Sequence, residues 1–289
     1  MSTRGWSVGG LLVAALAVGT VSDVAPAKPM RKLGGYHVLA ADFHVHSFPS
    51  GWAMLSPCDT AVEAGRQGLD VIVLTPHDEV WAAKLGRWCS SKVDGPMVIV
   101  GEEITSARYH MIAAGISEAI DSRQAAARAI DEVHRQGGIA VAAHPYESAW
   151  PAYDAEALSK LDGAEVVRAE SKHVAKLASQ LRAFFARADT TAIGSSDYHG
   201  LGTVGYSRTY VFARERTERA VLDAVREGRT VVFDGDRAFG DPTLVGIALE
   251  SGLPREFASV EARPRLRRLS AIVTLAVLAA VLLFNRWAA

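Results

Sequence analysis

The chain has 289 residues, and its 31 basic and 32 acidic side chains leave a net charge of −1. This length suffices for one sizeable α/β domain or two small ones. The balanced charge argues against the broad basic surface of a protein that binds duplex nucleic acid. The two cysteines, Cys58 and Cys89, lack the spacing of a zinc finger, and we expect two small buried side chains rather than a disulfide.

An apolar run at residues 6–21 dominates the N-terminal segment, residues 1–30. The small residues A-P-A at 25–27 are typical of the cleavage site of a signal peptide, which would export the rest of the chain. The same run also fits an uncleaved membrane anchor. The sequence leaves both interpretations open.

Residues 36–250 alternate between short apolar runs and helical stretches. The apolar runs predict strands at 71–74, 97–100, 139–143 and 191–193. Amphipathic patterns predict helices at 57–67, 120–136 and 171–187, the first with Ser56 as its cap and Pro57 in its first turn. This alternation predicts an α/β fold with a mostly parallel sheet buried on both faces.

The composition changes again after residue 250. Residues 251–268 carry two prolines and five arginines and are typical of a basic tether. Residues 269–287 contain an apolar run without a polar face, which predicts a transmembrane helix. The arginines of the tether favour a catalytic domain on the cytoplasmic side of the membrane over an exported one. We therefore expect a membrane-anchored protein with the lipid bilayer as a partner.

Potential metal ligands stand at the carboxyl ends of the predicted strands. They are His44 and His46, His77, Glu102 and Glu103, His144, and Asp197 and His199. Because these strand ends lie on one face of a parallel barrel, the side chains should converge. His110 begins an apolar run instead, but it joins the others if Glu103 and His110 flank a hairpin.

The spacing of His44 and His46 suits a shared metal site. Side chains alternate along a strand, so Asp42 and both histidines should share one face, with Phe43 and Val45 on the other. Imidazoles and carboxylates without thiolates suit zinc, manganese or iron. Two such ions ~3.5–4 Å apart would clamp a phosphoryl group and generate a hydroxide nucleophile.

Six motifs in order resemble those of the PHP family (polymerase and histidinol phosphatase). They read DFHVHS, GLDVIVLTPHD, GEEIT, HMIAAGI, GGIAVAAHP and GSSDYHG, within residues 36–235. The resemblance implies a distorted (β/α)7 TIM-like barrel, here with a hydrophobic helix at each end of the chain. It also implies metal-dependent hydrolysis of a phosphoester, with a phosphorylated small molecule or an oligonucleotide as substrate.

The resemblance implies a role for eight residues. His44, His46 and Asp197 would bind a first metal, and Glu103 would bridge it to a second. His110 and His144 would complete the second site, and His77 and His199 would hold a third metal. A metal-bound hydroxide would be the nucleophile.

Two further residues are interpreted from their positions. Asp42 either orients a ligand imidazole or lies at the surface. Arg208 is a candidate for binding the substrate phosphate, whereas Arg168 and Lys172 fit a phosphate or solvent equally well.

The chain departs from the family pattern at two positions near the third metal. Gly51 stands where many members carry an aspartate or histidine, and Pro76 stands where they usually carry an aspartate. We therefore expect two or three divalent metal ions, with the third held weakly or absent. Two alternatives follow, a membrane-tethered metal-binding module with a degenerate site and a hydrolase of a non-phosphate bond.

Overall fold

A computed structural model of the chain describes residues 31–168, 174–200 and 202–253, together with Ile272. The strands of this part are β1 (Lys32–Leu33), β2 (Tyr36–Val45), β3 (Val71–Leu74), β4 (Met97–Thr105), β5 (His110–Ala114), β6 (Ile139–Ala142), β7 (Gly163–Arg168), β8 (Thr191–Ser195), β9 (Thr209–Ala213), β10 (Thr230–Asp234) and β11 (Arg237–Gly240). The helices are α1 (Pro57–Arg66), α2 (Trp81–Lys92), α3 (Ala126–Arg135), α4 (Ala155–Lys160), α5 (Ala175–Ala188), α6 (Glu218–Arg226) and α7 (Pro242–Glu250).

All of these strands belong to one sheet that nearly closes into a barrel. Its order is β11-β10-β9-β2-β3-β4-β5-β6-β7-β8, with β1 paired to β2. Strands β2 to β4 are parallel, as are β6 to β8, whereas β5 runs antiparallel to both of its neighbours. A parallel bridge between Val45 and Tyr198 joins the two ends of the β2-to-β8 path. The predicted α/β class and the barrel form are confirmed at this level.

Two apolar clusters lie on the two faces of the sheet. Alternate residues of seven strands, among them Leu39, Val73, Ile112 and Val141, pack inside the barrel together with α6. The other face of the strands packs against the remaining helices, for example through Leu74 and Ile130. Strands buried on both faces need the continuous apolar runs that the sequence shows.

Helix α1 begins as the sequence predicts. The Ser56 side chain accepts a hydrogen bond from the backbone N–H of Asp59, and Pro57 opens the first turn. The helix predicted at 120–136 is shorter, because residues 120–125 are not helical and Ala126–Arg135 form α3. Of the helix predicted at 171–187, residues 171–173 lie outside the described residues and α5 covers the rest.

The expectation of two separate cysteines is wrong. Cys58 of α1 and Cys89 of α2 form a disulfide, with their Cα atoms 5.2 Å apart. The two helices follow consecutive strands of the barrel and pack side by side, so residues 31 positions apart in the chain become neighbours. Spacing along the chain did not reveal this, because the contact depends on how the helices pack.

The predicted membrane-anchored localisation requires correction. None of the helices in the described residues combines the length and the apolar character needed to cross a bilayer. Membrane anchoring, and a lipid bilayer as partner, are therefore not supported. The N-terminal segment 1–30, residues 254–268 of the tether and, apart from Ile272, the predicted helix 269–287 lie outside the described residues.

Candidate metal centre

The barrel brings all eight predicted ligands together at the carboxyl ends of its parallel strands. Their nitrogen and oxygen atoms form three groups, in each of which they lie within 4.8 Å of one another. The inner group is His44, His46, Glu103 and Asp197; the second group is Glu103, His110 and His144; the third group is His46, His77 and His199. Glu103 and His46 each belong to two groups, so the three potential sites are adjacent.

The β4–β5 hairpin explains how His110 reaches the others. The strands pair with Thr105 opposite His110 and Glu103 opposite Ile112. The end of β4 and the start of β5 therefore meet at the same edge, as the sequence predicts.

The inner group has the dimensions of a metal site. His44 Nε2 lies 3.3 Å from Glu103 Oε2 and 3.2 Å from Asp197 Oδ1. His46 Nε2 lies 3.3 and 3.1 Å from the same two oxygens. The edges of a tetrahedron of ligands with ~2.0–2.1 Å bonds are about 3.3–3.4 Å long.

Three atoms of the inner group are buried without a hydrogen-bond partner in the described part of the chain. They are His44 Nε2, His46 Nε2 and Asp197 Oδ1. A buried polar atom without a partner is costly, and a cluster of three requires an explanation. A bound cation would satisfy all three at once, so the residues present fit a divalent metal.

The charges of the inner group are strongly coupled. Burial alone would lower the pKa of His44, but Asp197, Glu103 and Glu165 raise it well above its usual range. Burial alone would raise the pKa of Glu103, but His44 and the hydrogen bonds from His110 and His144 hold it well below its usual range. The Glu103 carboxylate is therefore ionised beside a protonated His44, and a bound cation would take the place of the proton on His44 Nε2.

The second group is more open to solvent. His110 Nδ1 and His144 Nε2 lie 2.7 and 3.0 Å from Glu103 Oε1. Their side chains are 34% and 17% exposed, whereas that of His44 is fully buried. His144 also has a left-handed backbone with φ of 27°, which a histidine adopts only when its surroundings hold it there.

The third group contains imidazoles alone. The rings of His46 and His199 stack with centroids 4.0 Å apart, and His77 lies 4.6 Å from His46. A Cβ atom on Gly51 would lie 3.6 Å from His77 and 3.7 Å from His199. Position 51 thus faces the third group, and its glycine contributes no ligand there.

The neighbouring carboxylates do not replace the missing ligand. Asp78 Oδ1 accepts a hydrogen bond from Thr105 N, and Glu79 Oε2 accepts bonds from the first backbone N–H groups of α2. Burial and the nearby His46 lower the pKa of His199. A neutral imidazole is the form that binds a metal.

Glu165 is a site residue that the sequence interpretation missed. It is fully buried on β7, and its Oε1 lies 2.9 Å from His44 Nδ1. Because a carboxylate only accepts, His44 donates through Nδ1 and turns Nε2 towards the inner group. The Glu165 carboxylate also accepts bonds from Ser195 OH and from the backbone N–H of His144. The only feature of the sequence that marks Glu165 is that a carboxylate stands inside the apolar run GAEVV.

The expected alternation of β2 is interrupted by a bulge. The register against β3 shifts between Asp42 and Val45. Phe43 therefore packs inside the barrel whereas Val45 packs on its outer face, although both were expected on one side. The extra residue separates Asp42 from the face that carries the two histidines.

Asp42 consequently orients a loop rather than an imidazole. Its carboxylate accepts hydrogen bonds from Ser196 N, Ser196 OH and Gly205 N. Burial raises its pKa to about 6. By holding Ser196, it positions the neighbouring candidate ligand Asp197.

The two arginines differ in their contacts. Arg168 forms an ion pair with Asp197 Oδ2 and donates from Nη1 to Tyr146 OH over 3.0 Å. Arg208 donates from Nε to Gly205 O and from Nη2 to Gln67 O. Its role in phosphate binding stays a prediction.

Two cavities lie at opposite ends of the barrel. One of about 210 Å³ adjoins the second group and is lined by residues that include Ser106, Arg108, His144 and Tyr146. The other, of about 680 Å³, lies at the amino ends of β7 and β8, and none of the candidate ligands lines it. The smaller cavity is therefore the one that can serve the metal centre.

Comparisons with known proteins agree with this architecture. Residues 179–230 match the family model PHP_C, described as PHP-associated. The uncharacterized protein MJ1587 of Methanocaldococcus jannaschii is 27% identical over 143 residues, which cover 45% of this chain and 82% of that protein.

One solved structure shares the fold with a TM-score above 0.5. A two-domain protein from Bacteroides vulgatus, described as containing a predicted PHP-like metal-dependent phosphoesterase, aligns with TM-score 0.62 and 24% identity, over 78% of this chain and 74% of that one. An amidohydrolase from Chromobacterium violaceum, with bound sulfate and no metal, aligns with TM-score 0.47 and 16% identity, over 57% and 89% of the two chains. The PHP_C match over residues 179–230 and the shared barrel fold support the resemblance of this chain to the PHP domain family.

Proposed function

We propose that the protein is a metal-dependent phosphoesterase. The observation that carries this proposal is the inner group, where two imidazole nitrogens and two carboxylate oxygens meet at 3.1–3.3 Å, and three of these atoms have no hydrogen-bond partner in the described residues. Such a donor set suits zinc, manganese or iron. Bound metal ions of this kind activate a water molecule and stabilise the charge of a phosphoryl group.

Different residues of the chain would bind the metal ions, orient the ligand side chains and supply charge. In this proposal the inner and second groups hold two ions, and Glu103 lies between them. Glu165 keeps Nε2 of His44 turned to the inner group, and Arg168 keeps Asp197 in place. These contacts would fix the ligands before a metal arrives.

The cavity beside the second group supports a phosphorylated substrate. Arg108 supplies a positive charge at its wall, and Ser106 and Tyr146 supply hydroxyl groups. These groups can donate hydrogen bonds to a phosphate group, whose oxygens only accept hydrogen bonds when it is fully ionised. His110 and His144 line the cavity, so a phosphoryl group bound there would lie next to the centre.

The test is metal content followed by activity. The full chain is purified and its bound metal is quantified, and hydrolysis is then assayed on phosphomonoesters, oligonucleotides, amides and lactones with added Mn²⁺ or Zn²⁺. We expect stoichiometric metal and turnover of a phosphoester. Turnover of amides or lactones alone would point instead to a hydrolase of another bond.

A pair of histidine variants provides the control. His144→Ala removes a candidate ligand and should abolish activity while the protein stays folded. His134 lies on the outer helix α3 and contacts Asp162. His134→Ala should therefore leave activity unchanged. Wild-type protein without stoichiometric metal would refute the proposal.

The third group supports a second candidate function, a metal-binding module with a degenerate site. Gly51 faces two of its imidazoles and supplies no carboxylate. Tight metal binding without turnover across the substrate panel would favour this alternative.

A further inference from the structure

Three apolar side chains stand exposed on the loop that follows β2. Phe48, Trp52 and Met54, called here the apolar rim, are 60%, 75% and 72% exposed. A single exposed apolar side chain is ordinary, but three on one short loop at the mouth of a polar site indicate a binding surface.

The loop that carries the rim is fastened to the third group. Phe48 N donates to Leu55 O over 2.7 Å, and Ala53 N donates to Ser50 O over 3.1 Å. The Ser50 hydroxyl accepts a hydrogen bond from His77 N and lies 3.2 Å from His46 Nδ1. The position of the rim relative to the candidate metal ligands is therefore defined by hydrogen bonds.

Trp52 adjoins the centre directly. Its ring stands edge-on to that of His199, with centroids 6.1 Å apart. Gly51 has no side chain to separate the tryptophan from His77 and His199. A group bound over the third group would thus meet the Trp52 ring.

The second and third groups lie on either side of the inner group, and different kinds of side chain surround them. The cavity at the second group presents Arg108 and hydroxyl groups, whereas the third group is bordered by the rim. A substrate whose phosphate is bound over the candidate ligand groups would bring an organic part that points towards the third group against the Trp52 ring. This arrangement matches an ester of one phosphate with one apolar organic group.

We propose that the organic group of the substrate is planar and aromatic and stacks on Trp52. The inference rests on the proposed phosphoesterase function and adds the class of substrate. Stacking on an exposed aromatic side chain favours a planar ring over a saturated ring of similar size.

The first experiment measures binding without turnover. Metal-loaded full-length protein is titrated with benzylphosphonate and with cyclohexylmethylphosphonate, which resist hydrolysis and differ in the planarity of one ring. We expect wild-type protein to bind the benzyl compound about tenfold more tightly. Trp52→Ala should bind both compounds equally, and Trp52→Phe should recover part of the preference.

Trp88→Ala is the matched control. Trp88 is another exposed tryptophan, at 59%, but it lies near the end of α2 distant from the strand ends that carry the ligands. This variant should keep the wild-type preference. Equal binding of the two phosphonates by wild-type protein, or a preference that survives in Trp52→Ala, would overturn the inference.

The second experiment compares kcat/KM for two pairs of esters. Benzyl phosphate is compared with cyclohexylmethyl phosphate, and adenosine 5′-monophosphate with ribose 5-phosphate. A preference in the first pair alone identifies a simple arylmethyl ester, and one in the second pair identifies a nucleotide. A benzylphosphonate preference without hydrolysis of any ester would refute the proposed function and leave the stacking inference standing.

Discussion

Glu165 connects three parts of the candidate centre through one buried carboxylate. It fixes the ring of His44, accepts from the hydroxyl of Ser195, and holds the backbone of His144 in its left-handed conformation. Removing its charge therefore affects the orientation of ligands without removing a ligand.

We predict that Glu165→Gln weakens metal binding by about 10–100-fold. The amide can present an N–H group to His44 Nδ1, which would favour the tautomer that carries its proton on Nε2. Calorimetric titration of the metal-free protein with Zn²⁺ or Mn²⁺ measures the change, and circular dichroism checks the fold. An unchanged affinity would show that Glu165 does not orient His44.

Adjacent carboxylates on β4 provide a matched pair. Glu103 faces both the inner and the second group, whereas Glu102 points away and accepts a hydrogen bond from Ile120 N over 2.7 Å. We predict that Glu103→Gln lowers metal affinity by roughly 100-fold or more, and that Glu102→Gln leaves it unchanged. Equal effects of the two substitutions on the metal titration would contradict the assignment.

Glu102→Gln should change the pH dependence of stability instead. Burial raises the pKa of Glu102 from 4.5 to about 8, so the folded protein retains a proton that the unfolded chain releases. Between these two values the free energy of unfolding of the wild-type protein falls as pH rises. The variant lacks this titration, so its stability relative to wild type should increase from about pH 5 to about pH 8 in urea unfolding.

The sequence was sufficient to predict residues at strand ends, and insufficient for residues that depend on packing. The eight candidate ligands, which the resemblance implies, stand at strand ends or at the start of β5, and they lie together in the structure because these positions share one face of the barrel. Glu165 lies within a strand, where a carboxylate has no distinctive spacing. The face of Asp42 depends on a bulge, and alternation cannot reveal a bulge because it assumes a regular register.

The outer layer of helices packs closely around Gly86 of helix α2. A Cβ atom on Gly86 would overlap with Leu74 Cδ1 and would lie 3.2 Å from Pro57 O. Gly246 in α7 has nothing within 4 Å of the same position. An alanine side chain would therefore clash at position 86 but would have room at position 246.

We predict opposite effects of alanine at these two glycines. Gly86→Ala should lower the free energy of unfolding by about 1–3 kcal/mol, because Leu74 is buried and cannot move aside. Gly246→Ala should raise it by about 0.5–1 kcal/mol, since alanine is the better helix former. Urea unfolding of both variants measures the difference, and a stabilised Gly86→Ala protein would contradict the packing.

Elements with a strong local pattern were predictable, and those defined by partners were not. The cap at Ser56 and the strand at 71–74 appear where the sequence predicts them. Residues 120–125 carry a helix-like pattern, but the backbone N–H of Ile120 is bound to Glu102 of β4 instead. A tertiary contact thus overrides local preference there.

At the scale of the whole molecule, the candidate centre joins six strands of the barrel. The ligands stand on or directly after β2, β3, β4, β5, β6 and β8. Metal binding should therefore stabilise the barrel as a unit. The contacts that close the barrel here include the bridge from Val45 to Tyr198 and the hydrogen bonds from Ser196 to Asp42, which no local sequence pattern predicts.

We predict that metal raises the melting temperature. A ligand at 1,000 times its Kd adds about 4 kcal/mol to the stability of the folded state. For a domain of this size the shift is roughly 10 °C. Calorimetry of protein dialysed against a chelator, before and after adding Zn²⁺ or Mn²⁺, measures it. Glu103→Gln should show little shift, and an equal shift in that variant would indicate binding elsewhere.

The sharing of ligands has a consequence for the exchange of ions with the solution. The inner group is the most deeply buried of the three, and its neighbours on both sides have partly exposed imidazoles. We expect an ion in the inner group to leave through one of the two flanking groups, because these are the ones that reach the solvent. Its residence time should therefore be the longest of the three, and a chelator should empty the centre from its two ends inward.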